Sequence, residues 1–269
     1  MTKVKIVSWN INSLRLRIGL LKKFIDLANP DVICLQETKV EDQLFPALEL
    51  ISYGYNFIEF CGEKSYNGVA ILSKFPIQNT HKIDILDYGH KRHISTQIKS
   101  PIGEIIIHNF YVPAGGDIAD PKVNDKFDHK LKFVDWMSDF FSTKTLSQEK
   151  IVIVGDFNIA PLEHDVWSHK QMQNVVSHTA IEIEKLTRLQ NSLGFIDSHR
   201  HFVNHQEKLY SWWSYRAIEP LKSDRGRRLD HIWVSPNLKK YLSCYKIYRD
   251  FRLENQPSDH VPIETSLQF

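Results

Sequence analysis

The chain has 269 residues, of which 42% are apolar and 25% charged, the composition of a globular protein with a substantial core. A formal net charge of +2 excludes a globally basic nucleic-acid binder, so any basic surface must be local. The length favours a single domain over 1–269, and no apolar run reaches membrane-spanning length.

From the N-terminus, MTKVKIVSWN enters a strand-like run at once and leaves no room for a signal peptide, which sets a cytoplasmic expectation. Strands are predicted over Val4 to Trp9 and Asp31 to Gln36, separated by a helical pattern from Leu14 to Leu27. Gly68 to Leu72 and Ile105 to Val112 follow, with Pro101 to Gly103 turning a hairpin between two strand-like runs. A helix over Lys130 to Phe141 leads to Ile151 to Val154, a strand apolar enough to be central. Another helix spans roughly Ile181 to Leu193, and strands at Leu229 to Val234 and Val261 to Leu267 complete the set. Strands arriving in close antiparallel succession, with few helices between them, predict an α/β sandwich in four layers: two packed mixed sheets flanked by helices. Three scattered cysteines, Cys34, Cys61 and Cys244, have no metal-ligand spacing. Cys34 and Cys244 sit in apolar stretches and are read as buried thiols of a protein from a reducing compartment.

Polar residues recur where these strands end: Asn10, Glu37, Tyr111, Asp156 with Asn158, then Asp230 early in its strand, and Asp259-His260 before the last. Loops leaving strand ends are where a rigid scaffold presents chemistry. Singly, each has a plain structural reading. IVIVGDFN is a Gly-Asp turn with Asn158 as a cap, or a carboxylate and amide facing one centre from an extended segment. Glu37 pairs with Lys39, or is a hard oxygen ligand. His260 is a surface loop residue, or an imidazolium held by Asp230 beside a phosphate. Asn10 and Asn12 are turn formers or caps, and Tyr111 is a core aromatic or a phosphate donor. Together they compose an oxygen-rich acidic pocket with one histidine, suited to a hard metal and hydrolysis at phosphorus.

The segments VSWNINSLR, DVICLQETK, YNGVAILSK, NFYVPAGG, GDFNIAP, YSWWSYR, RGRRLDHIWVS and SDHVPI resemble, essentially end to end, the exonuclease III family of abasic-site endonucleases within the exonuclease/endonuclease/phosphatase superfamily. The resemblance implies that Glu37 binds Mg2+ or Mn2+ with Asn10 and Asp259 close by, and that Asp156 activates water. It implies that Asn158 and Tyr111 contact the phosphate and that His260, paired with Asp230, offsets its charge; Asp156, Asn158 and His260 are also implied as metal contacts. It further implies a monomer that cuts double-stranded DNA 5′ to abasic sites and trims blocked 3′ ends. Ser13 stands where a glycine is common and is expected to cap the next helix; Ala114 and Asp117 depart from the family pattern in the loop that grips DNA.

Between Tyr210 and Arg228, Trp212, Trp213 and Tyr215 lie beside Arg216, and Lys222, Arg225, Arg227 and Arg228 follow in a polar loop. Such cations neutralise backbone phosphates, and an exposed aromatic can pack where a base is missing. Trp212 is the one for which a plain core role competes. Arg92, on a loop before a strand, is a further phosphate candidate. Two rivals remain on sequence grounds. A phosphodiesterase of the same superfamily acting on inositol phosphate or sphingomyelin is opposed by the aromatic-basic stretch; a catalytically dead DNA-binding relative is opposed by the complete set of competent side chains.

Overall fold

The computed structural model describes residues 2–143, 146, 148–217 and 219–269. Among the described residues, twelve strands form two six-stranded mixed sheets. In the first, the order is β11 (Leu242–Ile247), β12 (Ile263–Gln268), β1 (Lys3–Asn10), β2 (Val32–Gln36), β4 (Val69–Ser73) and β3 (Phe57–Cys61). In the second it is β5 (Ile77–His81), β6 (His93–Ser100), β7 (Gly103–Tyr111), β8 (Ile151–Asp156), β10 (Asp230–Val234) and β9 (Ile196–Asp197).

The sheets pack through one apolar layer, to which Val4, Ile6, Val32 and Ile71 contribute from the first and Ile105, Ile107, Val152, Val154 and Ile232 from the second. Helix α1 (Ile18–Ala28) covers the outer face of the first sheet, with Leu21, Phe24 and Ile25 against Trp9 and Leu35. Helices α3 (Asp125–Phe141) and α5 (Ala180–Leu193) cover the second, with Phe133, Met137, Phe141, Leu186 and Leu189 against Ile151, Ile153 and Trp233. Three short helices, α2 (Ala47–Ser52), α4 (His169–Met172) and α6 (Pro220–Ser223), lie in connections. The expected four-layer α/β sandwich is therefore the observed one, and central strands such as β2 and β8 are buried along their whole length because both faces are covered.

The departures have local causes. The first helix begins at Ile18 rather than Leu14: Ser13 and Leu14 are tied across to the carbonyls of Glu37 and Thr38, at 2.7 and 3.0 Å. Residues 14–17 form a turn in which the Arg17 N–H donates to the Leu14 carbonyl at 3.1 Å. Ser13 consequently caps nothing: Arg17 occupies the cap position, and Ser13 has φ +86°, a conformation that glycine adopts at no steric cost. Helix α3 starts earlier than its apolar pattern, at Asp125, because Asn124 caps it by accepting from the N–H of Lys126. Cys34 is buried as expected, but Cys244 is exposed, since β11 is an edge strand. Strands β3, β5, β9 and β11 carry no sustained apolar run. All four lie at sheet edges, and β9 has only two residues.

Candidate active site

Strand register alone gathers the polar strand ends. In the first sheet β1 and β2 run parallel with Asn10 opposite Gln36, so Asn10 and Glu37 emerge together; β12 is antiparallel to β1, so the segment entering it, with Asp259 and His260, begins at the same edge. In the second sheet β7 and β8 are parallel with Tyr111 opposite Asp156, and β10 is antiparallel to β8 with Asp230 opposite Asp156. Each sheet delivers half of the constellation.

Across the seam the halves are hydrogen-bonded. The Asn10 amide donates to Glu37 Oε1 at 2.8 Å and to Asp156 Oδ2 at 2.9 Å. The Tyr111 hydroxyl donates to Glu37 Oε1 at 2.8 Å, and Lys39 Nζ lies 2.7 Å from Glu37 Oε2. The ion pair of the plain reading is thus present within the cluster. His260 places Nδ1 2.8 Å from Asp230 Oδ2 and Nε2 3.6 Å from Asp156 Oδ2. Asn12, which caps no helix, donates to Asp259 Oδ1 and accepts from Lys39, and the Trp212 indole donates to Asp259 Oδ2 at 2.9 Å.

Asp156 and Asn158 converge, but not through an extended pleat. Asn158 has φ +54°, its backbone N–H donates to Asp156 Oδ1 at 2.9 Å, and its side-chain amide lies 3.2 Å from Asp156 Oδ2 and 2.9 Å from the Val112 carbonyl. A tight turn, closed by the carboxylate itself, brings them together. Gly155 makes the approach feasible: with φ +145°, a Cβ there would stand 1.9 Å from the Phe110 carbonyl oxygen.

Burial and charge set the protonation states. Removal from water pushes the Asp156 carboxyl up, to about 7, with Asp230 and Glu37 adding to the rise and His260 and the Asn10 amide opposing it. Burial disfavours the His260 cation, yet Asp230, Asp156 and Asp259 outweigh it and hold the imidazolium up to about 10. For Glu37 burial is overcome by Lys39 and by hydrogen bonds from Asn10, Lys39 and Tyr111, and the carboxyl lies below its usual range. Burial, together with Glu37, keeps the Tyr111 phenol neutral and donating.

The donor set suits a hard divalent cation. Glu37, Asp156, Asp230 and Asp259 are four carboxylates facing two cations, Lys39 and His260. Ligand atoms of Asp156, Asp230 and His260 lie within 4.8 Å of one another, and the buried Asp230 Oδ1 has no hydrogen-bond partner. Oxygen donors with excess negative charge are what Mg2+ and Mn2+ take.

The residues expected to bind DNA divide. Trp212 is half-buried at the site with the Arg227 guanidinium 5.0 Å from its ring, whereas Trp213 is fully buried in the core against Tyr210. The core tryptophan is therefore Trp213. Arg216 and Arg225 are exposed, as is Lys222, but Arg228 is buried in ion pairs with Asp165 and Asp197 and carries no surface charge. Ile218 within this stretch lies outside the described residues. Arg92 is 5% exposed, its guanidinium 4.6 Å from the Tyr111 ring centre and 5.7 Å from that of Tyr66. Ala114 and Asp117 are exposed in the loop after β7. Sequence reasoning passed over Ser211, whose hydroxyl donates to Asp230 Oδ2 at 2.6 Å while accepting from the N–H groups of Leu229 and Asp230. Its only signal was adjacency to Trp212 in YSWWSYR.

Residues 7–260 match the Endonuclease/Exonuclease/phosphatase family. The chain is 31% identical to exodeoxyribonuclease III of Haemophilus influenzae, over 97% of this chain and 98% of that protein. Among solved structures it is similar to an AP endonuclease from Archaeoglobus fulgidus, with TM-score 0.90 and 28% identity over 99% of this chain and 100% of that one. It is likewise similar to the 3′ phosphatase NExo from Neisseria, solved with a product DNA hairpin, with TM-score 0.89 and 28% identity over the same shares.

Proposed function

Because the chain belongs to the endonuclease/exonuclease/phosphatase family and is a nuclease of the exodeoxyribonuclease III and AP endonuclease type, we propose that it is a Mg2+- or Mn2+-dependent DNA repair enzyme. It hydrolyses the phosphodiester 5′ to abasic sites and removes nucleotides or blocking groups from 3′ ends. The observation that carries this reading is the hydrogen-bonded set Glu37, Asn10, Asp156 and His260, contributed by both sheets.

Asp156 is the base, taking a proton from the attacking water; its upward shift to about 7 matches the proton affinity useful near neutrality. Asn158 and Tyr111 donate hydrogen bonds to the phosphate, and the His260 cation, oriented by Asp230, offsets the charge developing on it. Glu37, with Asn10 and Asp259, would hold the metal, and Asp156 and Asn158, hydrogen-bonded into the same cluster, would be further ligands. When bound, the metal supplies Lewis-acid polarisation and charge neutralisation at the phosphate. Trp212 packs against the sugar left without its base, and the exposed Arg216 and Arg225 neutralise flanking phosphates.

The test is an end-labelled duplex carrying one abasic analogue, incubated with Mg2+ or with EDTA. A single cut 5′ to the analogue with Mg2+ and none with EDTA is expected. Absence of product under both conditions overturns the reading.

A further inference from the structure

Beneath the site lies a cation that takes no part in the chemistry above. Lys130, on α3, is fully buried, and its ammonium has three partners: Glu182 Oε1 at 2.5 Å, the Asn158 carbonyl at 2.8 Å and the Ala114 carbonyl at 3.3 Å. Three N–H bonds thus meet three acceptors. Glu182 is equally committed. It stands in the capping box that opens α5 and accepts from the N–H groups of Ser177 and Thr179 and from the Thr179 hydroxyl.

An ion pair kept only for stability needs no particular backbone around it, and apolar replacements of similar volume often serve as well. This one spends its remaining donors on two loops, the one leaving β7 and the one leaving β8, at the residues where each turns away from the site. Asn158 holds a left-handed backbone, which a residue other than glycine keeps when its surroundings fix it. Its own amide and N–H are fixed by Val112 and Asp156, and Lys130 fixes its carbonyl.

We infer that Lys130 is a positioning residue: clamped by Glu182, it locks the Asn158 turn and so sets the direction in which the Asn158 amide and the Asp156 carboxylate present themselves. This rests on the nuclease reading for its rate measurement but not for its structural one. The experiment compares Lys130→Met, Lys130→Arg and the double variant Lys130→Met/Glu182→Gln, in which no unpaired buried charge remains. On the abasic duplex, kcat is expected to fall roughly 10- to 100-fold in Lys130→Met with KM held within about threefold, as for small displacements of reacting groups. Lys130→Arg, which keeps a cation with several donors, is expected to recover part of kcat. The double variant is expected to regain thermal stability without regaining kcat. Hydrogen exchange supplies the reading independent of activity: amides of residues 157–160 exchange faster in the double variant while those within α5 do not. Unchanged exchange at 157–160 overturns the inference whatever the enzyme's activity, and so does a kcat that recovers together with stability.

Discussion

At the residue scale, charge and solvation decide what each side chain can do. Asp156 is held ready to accept a proton by burial and by neighbouring carboxylates, while the amide of Asn10 fixes its direction. Asp156→Asn keeps the shape but cannot take a proton, and its NH2 group replaces one of the two oxygens that accept from Asn10 and Asn158. It is expected to lower kcat by about 10²–10⁴-fold, with abasic DNA still bound in a gel-shift assay; unchanged turnover would remove Asp156 from the role of base. The adjacent tryptophans divide cleanly. Trp213→Ala empties a fully buried space against Tyr210 and is expected to cost about 3–5 kcal/mol in urea unfolding. Trp212→Ala should leave stability nearly intact and raise KM for abasic DNA. Two neighbouring tryptophans give no clue in sequence as to which one points inward. That is fixed here by bridges pairing Trp212 with Arg227 and His260, a nonlocal fact that no short-range pattern encodes. The positions of Glu37, Asp156 and His260 at strand ends were legible by contrast, because each adjoins a strand that its apolar run makes recognisable.

At the element scale, the two sheets are joined by more than apolar packing. Just below the site the Gln36 amide donates to Asn109 Oδ1 at 2.7 Å, and the Asn109 amide donates to the carbonyls of Leu35 and Ala70, both at 2.9 Å. Gln36 precedes Glu37 and Asn109 lies two residues before Tyr111, so this polar bolt sets how far the first sheet may slide over the second at the site. Asn109→Leu removes the side-chain donor to two buried carbonyls and the nearest acceptor of the Gln36 amide, which keeps only its longer bonds to Ser8 and Cys34. The substitution is expected to cost about 2–4 kcal/mol, measured by urea denaturation. It should also lower kcat more than it raises KM. A variant as stable and active as the parent would show that apolar contacts alone fix the sheets. Central strands such as Ile151–Asp156 could be read from sequence because burial on both faces demands an apolar run. The edge strand Ile77–His81, IQNTH, could not, since water on one side removes that demand.

At the scale of the whole molecule, buried titratable groups give stability a defined dependence on acidity. Burial lowers His108 and His231 to about 3, reinforced for His108 by His81 and for His231 by Arg228, against about 6.5 in an unfolded chain. Groups that titrate lower in the fold bind fewer protons there, so their contribution is complete above about pH 6.5 and is lost as pH falls towards 3. Each such histidine is expected to cost about 2 kcal/mol on going from about pH 6.5 to pH 4.5. Asp165 and Asp197, which Arg228 holds low despite burial, extend the loss below about pH 4. His260 has the opposite sign: its contribution is present below about pH 6.5 and fades as pH climbs through about 10. Urea midpoints should fall steadily from pH 6.5 to 4.5; a midpoint that rises on acidification would contradict the assignment. The way the constellation is strung along the chain has a consequence for biosynthesis. Asn10 and His260 lie far apart in the sequence, and the antiparallel neighbour of β1 is β12. Until β12 has been made and pairs with β1, the part of the site that Asp259 and His260 complete is missing, so catalytic competence is expected to await that last pairing.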